Sequence, residues 1–386
     1  MFPLRLDLDA PAEIDEHLHE VAFDLWARWH LEPEHARSIV ESFVADEDLR
    51  GPYNWLHTHE LPSYWAGHLH HRHVHACSDG TCPPGSRSAL SPESAKLSPG
   101  SALLVSAQPT STTELLAEAA ARRGLAVHEL TDPKVLQALA GHDVYWYGGP
   151  RAALRALREL RIGLLEPLDD WLTLLPHRFV GRDIALSTLA DAWRITRPAF
   201  VKPPREKSLP AAVYADGSRM PRTGDELGPQ MPVLTSEVVT FAVEYRLFVL
   251  DREIVTGSRY AVYGRLDPAP LTGDPNEPAV REFFAALLHP PTTEPIAEWR
   301  GRGMIPSAFV LDIGLIESPD TGAQQWAVVE ANMAWFAHCY AADPDRALDV
   351  VLRSAGPLHR VAVSDFEYLR PIEAMGLGLG PGQVSG

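Results

Sequence analysis

Phe309-Val310-Leu311-Asp312-Ile313-Gly314-Leu315-Ile316 and Trp326-Ala327-Val328-Val329-Glu330-Ala331-Asn332 decide how this chain reads. Both runs are continuous apolar stretches of the kind that form strands covered on both faces. Each carries polar groups that such a strand tolerates only with a partner: Asp312 in the first, Glu330 and Asn332 in the second. Carboxylate and amide oxygens in this setting ask for a cation. An oxygen-only set suits magnesium, which keeps waters and bridges to the phosphates of a nucleotide.

A polyphosphate also needs positive side chains, and they lie upstream. Phe200-Val201-Lys202-Pro203 is a strand ending in lysine. Phe241 to Leu250 alternates strongly, Asp251-Arg252 forms a tight turn, and Glu253 to Tyr263 returns, which predicts a long antiparallel hairpin. Glu244 and Arg246 lie two apart and share one face of its first strand. Arg259 on the returning strand is expected on the same face as Arg246, an arrangement that calls for an anion between them.

The flanking chain supplies the architecture. Ser101 to Glu166 alternates short apolar runs with helical segments. Strands are expected at 102–106, 125–130, 143–147 and 162–166, and Ser111 with Glu114 forms a capping box before the first helix. That pattern predicts a small parallel α/β domain, without a GxGxxG turn after its first strand. Gly181-Arg182-Asp183 is read as a helix opening, continuing through Leu186, Leu189, Ala190 and Trp193. Pro232 to Val239 reads as a strand, and helices are expected from Pro278 to Leu288, again near Gly303, and from Asp345 to Arg353. Toward the N-terminus, residues 10–45 read as helix, with Leu18, Val21, Ala22, Leu25 and Trp26 at helical spacing.

Bulk composition bounds the function. The chain has 386 residues with 45% hydrophobic and 22% charged content, ample for a large core. By the prior of roughly 150 residues per domain, it holds two or three domains. A formal net charge of -17 excludes a general nucleic-acid binder. The three cysteines are too few for a disulfide scaffold. No transmembrane run or secretory signal is read, so a cytoplasmic protein without membrane contact is expected. His57, His59, His68, His70, His71, His73 and His75, followed by Cys77 and Cys82, are zinc-type ligands in kind. Their spacing matches no standard zinc framework, and they run into a Ser/Pro/Gly-rich stretch, so a polar surface segment is the favoured reading.

The order of Lys202, Ser236-Glu237-Val238-Val239, Glu244-Tyr245-Arg246-Leu247-Phe248-Val249, Arg259, Asp312 and Glu330-Ala331-Asn332 resembles the ATP-grasp superfamily of carboxylate–amine ligases. It looks most like the subgroup in which an arginine replaces one ATP-binding lysine. The resemblance spans about residues 170–355. It implies an α+β fold with an α/β element: an ATP-grasp fold preceded by the small parallel α/β domain and an N-terminal helical region. The expected domains are 1–75 (helical), 76–100 (linker), 101–170 (small α/β domain), 171–370 (ATP-grasp) and 371–386 (a disordered tail).

The resemblance also implies roles. Lys202 would meet the α-phosphate and adenine, and Arg182 would stand where the family has its other lysine. Glu237 would accept from the adenine amino group, with the main chain of Val238 and Val239 at the ring edge. Glu244 would bind the ribose hydroxyls. Arg246 would lie near the phosphates and Arg259 near an acyl-phosphate, as catalytic groups. Asp312, Glu330 and Asn332 would hold magnesium. ATP and Mg2+ are the expected cofactors. A small-molecule or peptide carboxylate and an amine are the expected substrates, and a homodimer the expected assembly. Two alternatives use the same residues: an ATP-dependent phosphotransferase, or a non-catalytic module binding metal or a partner. Pro204-Arg205-Glu206-Lys207 departs from the Gly/Ser-rich phosphate loop of many members, and Met220 to Gln230 is longer and richer in proline.

Overall fold

The computed structural model describes Leu18, Ala22 and Leu25, then residues 32–46, 97–106, 110–150, 153, 159–204, 209–222, 228–288, 304–318 and 321–370. The His-rich segment with Cys77 and Cys82, the loops at 205–208 and 223–227, the helix expected near Gly303 and the tail lie outside the described residues. The chain divides into two compact units, 1–99 with 358–386, and 100–357.

In the first unit, α1 (Pro33–Asp46) buries Ala36, Ile39 and Val40 along one stripe, the spacing of an amphipathic helix. Leu18, Ala22 and Leu25 are helical and buried.

The second unit opens with the α/β part. β1 (Ala102–Ser106), α2 (Ser111–Arg122), β2 (Ala126–Leu130), α3 (Pro133–Ala138) and β3 (Val144–Tyr147) follow in order. They form a parallel sheet of order β2-β1-β3. Thr110, not Ser111, is the N-cap of α2, its hydroxyl accepting from Thr113 N–H at 3.1 Å. The fourth strand expected for this sheet is a correction. β4 (Ile162–Leu164) instead pairs antiparallel with β14 (Ala355–Pro357), near the far end of the chain. Apolar sequence predicted a strand there, but the choice of partner is a tertiary matter.

α4 (His177–Val180) leads into β5 (Ile184–Thr188), so the helix expected to open at Gly181 is a strand instead. Gly181 ends α4 in the left-handed conformation (φ 62°), and a Cβ there would stand 2.8 Å from Ile316 Cδ1. Only the short α5 (Leu189–Ala192), capped by Thr188, is helical in that stretch. β6 (Ala199–Lys202), β7 (Ala212–Tyr214) and β8 (Pro232–Ser236) complete an antiparallel sheet of order β5-β8-β6-β7.

The larger sheet has the order β11-β10-β9-β12-β13 and is antiparallel throughout. Its strands are β9 (Phe241–Leu250), β10 (Glu253–Val262), β11 (Arg265–Pro270), β12 (Ala308–Glu317) and β13 (Gln324–Asn332). The hairpin turn places Asp251 at φ 49° and Arg252 at φ 67°, the doubly left-handed geometry that matches the twist of its strands. Tyr245, Leu247, Val249, Phe309, Leu311 and Ile313 pack with α6 (Glu277–Leu288) in the main core. α7 (Pro344–Ser354) packs against β9, β10 and β12. Among the described residues no helix is long and apolar enough to cross a membrane.

Candidate active site

The two opening stretches are neighbouring strands, and their register settles the first question. Asp312 stands opposite Glu330 on β13 and opposite Arg246 on β9. Directly paired residues share a face, so the three side chains meet. Asp312 is 1% exposed. Arg246 grips it with two parallel bonds, Nε to Oδ1 at 2.9 Å and a terminal nitrogen to Oδ2 at 2.6 Å. Glu330 accepts from the Lys202 ammonium, which reaches it from β6 in the other sheet, and from Asn332 Nδ2 at 2.6 Å. Burial pushes the Asp312 carboxyl up, with Arg246 opposing. Burial acts the same way on Glu330, but Lys202, Asn332 and Arg246 outweigh it and pull the carboxyl down to about 2.

The donor set is two carboxylates and an amide. Among the described residues no three His, Cys, Asp or Glu side chains converge as ligands. Oxygen donors of this kind, already bordered by cations that can turn to phosphate, fit a magnesium ion that retains waters.

Lys202 and Glu330 line a cleft of about 730 Å3, counting space open to solvent, with Arg182, Glu237, Val238, Val239 and Glu244. That size lies within the range of roughly 300–1,000 Å3 usual for small-ligand sites. Phe200, Leu234 and Phe241 give it apolar walls, and Val213 and Val238 reach 54% and 48% exposure there. Exposed valines beside buried charges are what a flat ring would cover.

Arg182 is held by main chain. A register slip in β13 leaves Val329 unpaired, and the Val328 and Val329 carbonyls accept from Arg182 at 2.9 and 3.1 Å. The Val180 carbonyl accepts at 2.8 Å, and the guanidinium lies 5.4 Å from the Phe241 ring centre. Burial lowers its pKa to about 10, against the pull of Glu330 and Glu244. Glu237, just past β8, uses Oε2 to accept from Asp183 N–H at 3.0 Å, tying the segment 237–239 to the start of β5.

The hairpin departs from the expected geometry at one residue. Arg259 does not join Arg246. The β9/β10 register slips after Ile254, leaving Val255 without a partner on β9. Continued unbroken from Glu253 opposite Leu250, the pairing would put Arg259 opposite Glu244. With the slip, Arg259 stands opposite Tyr245 on the other face. There it bonds Asp274 at 2.9 Å, and Asp274 accepts from the Tyr245 hydroxyl at 2.7 Å.

Tyr260 takes the vacated position. Its hydroxyl donates to Glu244 Oε2 at 2.7 Å. Its ring stacks on Tyr340 at 5.1 Å, and the Arg246 guanidinium lies 5.6 Å from one ring centre and 5.1 Å from the other. His338 packs on Tyr340 at 4.6 Å; its Nδ1 accepts from Tyr340 N–H at 2.9 Å, and its Nε2 lies 3.2 Å from Ser111 Oγ at the start of α2. Sequence reading missed Tyr260, Tyr340 and His338 as members of this cluster. Tyr260 follows Arg259 directly, so only the bulge told them apart.

Adjacent strand positions on opposite faces were the expected reason against a His338–Cys339 dyad. Residues 337–339 are not a strand. The reason is burial: Cys339 is 0% exposed and its thiol is pushed up to about 12.

Residues 179–350 match a family model described as an ATP-grasp domain, family 2 of its clade. Comparison with curated proteins finds no match. Solved structures similar to this chain include three at low identity. A RimK domain protein ATP-grasp from Sphaerobacter thermophilus is 16% identical, with 69% of this chain and 99% of that one covered and a TM-score of 0.32. D-alanine--D-alanine ligase from Bacillus anthracis is 11% identical, with 66% and 97% covered and a TM-score of 0.36. N5-carboxyaminoimidazole synthetase from Staphylococcus aureus is 12% identical, with 70% and 78% covered and a TM-score of 0.39. No ligand or activity follows from likenesses at these scores. The family match establishes the ATP-grasp fold of this segment and marks the chain as an ATP-grasp-type enzyme.

Proposed function

We propose, from the ATP-grasp domain at residues 179–350, that the protein is an ADP-forming carboxylate–amine ligase working through an acyl-phosphate. The observation that carries this reading is the convergence of Arg182, Lys202, Glu237, Glu244 and Glu330 on one cleft. The Arg246–Asp312 pair continues the same strand faces.

In this reading the adenine lies between Val213 and Val238, with the main chain of 237–239 at its edge. Glu237, whose carboxylate also holds Asp183, fixes that segment. Glu244 accepts from the ribose hydroxyls. Arg182, Lys202 and Arg246 face the phosphates, and Arg182 is the arginine in place of a lysine. Asp312, Glu330 and Asn332 would hold magnesium, which when bound neutralises phosphate charge. Arg259, bonded to Asp274 on the other face, is left out of the phosphoryl site.

A substrate carboxylate attacks the γ-phosphorus; an O–P bond forms as the bond to ADP breaks. Two anions meet in that step, and Lys202 and Arg246 stabilise the charge spread over the transferring group. The lone pair of an amine then attacks the acyl carbon. Phosphate leaves with its bonding electrons and the surplus proton passes to solvent. No side-chain nucleophile is needed, and the Cys339 thiol is buried and protonated.

The small α/β part, 101–170, serves as the domain before the ATP-grasp fold. Its Ser111 touches His338 and so borders the substrate side. A small molecule or peptide supplies the carboxylate. A cytoplasmic setting and a homodimer belong to the same proposal.

The test is ADP and phosphate release from Mg-ATP with a panel of carboxylates, with and without an amine. Release that needs both, and is lost in Glu330→Gln, is the expected outcome. A stable phosphorylated acceptor formed without amine points to a phosphotransferase. Negligible calorimetric heat for Mg-ATP on the unaltered protein removes the nucleotide site altogether.

A further inference from the structure

We propose that Tyr260 is a positioning residue that couples recognition of the nucleotide's ribose to placement of the Arg246 guanidinium. The proposal rests on the reading above that Glu244 receives the ribose hydroxyls.

Three contacts converge on this phenol. Its hydroxyl donates to Glu244 Oε2 at 2.7 Å. Among the described residues none donates to Glu244 Oε1, so one oxygen is fixed and the other is left for a ligand hydroxyl. One face of the ring system meets Arg246, and the ring is backed by Tyr340 at an interplanar angle of 13°. Glu244 and Arg246 are two apart on one strand, and each is bent toward a different task. A ring reaching both from the neighbouring strand sets their spacing.

The bulge makes this specific. A regular hairpin would present Arg259 to Glu244, a pairing that would neutralise the carboxylate and occupy it with a fork of donors. The slip at Val255 replaces that guanidinium with a phenol, which gives a single donor. Burial drives the Tyr260 hydroxyl far above its usual range, with Asp312 and Glu244 adding to it, so it stays a donor at working pH. Burial likewise pushes the Glu244 carboxyl up, and the Tyr260 hydrogen bond opposes that shift.

The experiment compares Mg-ATP and Mg-2′-deoxy-ATP by titration calorimetry, without acceptor, on the unaltered protein, Tyr260→Phe, Glu244→Gln and the double variant. Tyr260→Phe keeps the ring and its stack, and melting curves establish that each variant folds. The unaltered protein should prefer ATP by about tenfold, the scale of a hydrogen bond to a charged group. Tyr260→Phe should reduce that to about two- to threefold, and should add nothing in the Glu244→Gln background. Weakening of both nucleotides by the same factor, with the preference kept, means a merely structural role and overturns the proposal. Loss of preference in Glu244→Gln but not in Tyr260→Phe also overturns it, leaving the ribose reading intact. Equal affinities in the unaltered protein, unchanged in Glu244→Gln, overturn the ribose reading and the proposal with it. Should Tyr260→Phe fail to fold, Tyr340→Leu removes the backing of the ring while sparing the hydroxyl, and an unaltered preference there overturns the coupling.

Discussion

Asp312 on β12 and Glu330 on β13 face each other across one register pair, and each is held by a cation from a different strand: Arg246 from β9, Lys202 from β6. Two buried acids side by side would repel. The cations make the pair tolerable and also hold positive charge where phosphates would lie.

Removing one acid should therefore cost unequally. The Asp312 side chain is 1% exposed and its Arg246 partner 11%, whereas Glu330 is 25% exposed. Breaking a buried pair from one side costs about 3–5 kcal/mol, because a charge is left without a partner. Asp312→Asn should approach that figure in urea unfolding, and Glu330→Gln should fall clearly below it.

Acid stability should carry the mark of Glu330. Its folded pKa is depressed from 4.5 to about 2, so its contribution is complete above pH 4.5 and drains away as pH falls toward 2. The contribution is at most on the order of 3 kcal/mol. Urea midpoints taken across that window should fall less steeply in Glu330→Gln than in the unaltered protein. Asp312, shifted upward, works in the opposite direction.

Gly181→Ala should harm both stability and the cleft. The left-handed backbone there penalises any Cβ, by about 1–2 kcal/mol, and the new methyl must also displace the end of Ile316. Arg182 follows immediately, so Mg-ATP affinity should drop along with the melting temperature.

Arg259→Gln should separate the two faces of the sheet. It breaks the bonds to Asp267 and Asp274 and loosens the Tyr245 network, so thermal stability falls. Mg-ATP affinity, measured by calorimetry, should stay within about twofold, since a partly exposed ion pair of this kind is worth about 1 kcal/mol and lies away from the cleft. A tenfold loss would return Arg259 to the site.

Local sequence was enough for much of this. Alternation and apolar runs marked the long strands, and polar residues inside them marked Lys202, Glu244, Arg246, Asp312, Glu330 and Asn332, because a buried charge must have a partner wherever the strand goes. Three decisions were made only by tertiary structure. β4 left the parallel sheet for β14, a partner nearly two hundred positions later, about which its own residues say nothing. Arg182 became a buried cation gripped by carbonyls that a bulge at Val329 exposes. One unpaired residue, Val255, exchanged Arg259 for Tyr260 at the site. The reason is the period of a strand: side chains alternate every residue, so a single insertion in the ladder reverses every face beyond it. Alternation is written locally in the chain, and the pairing of whole strands decides where it slips.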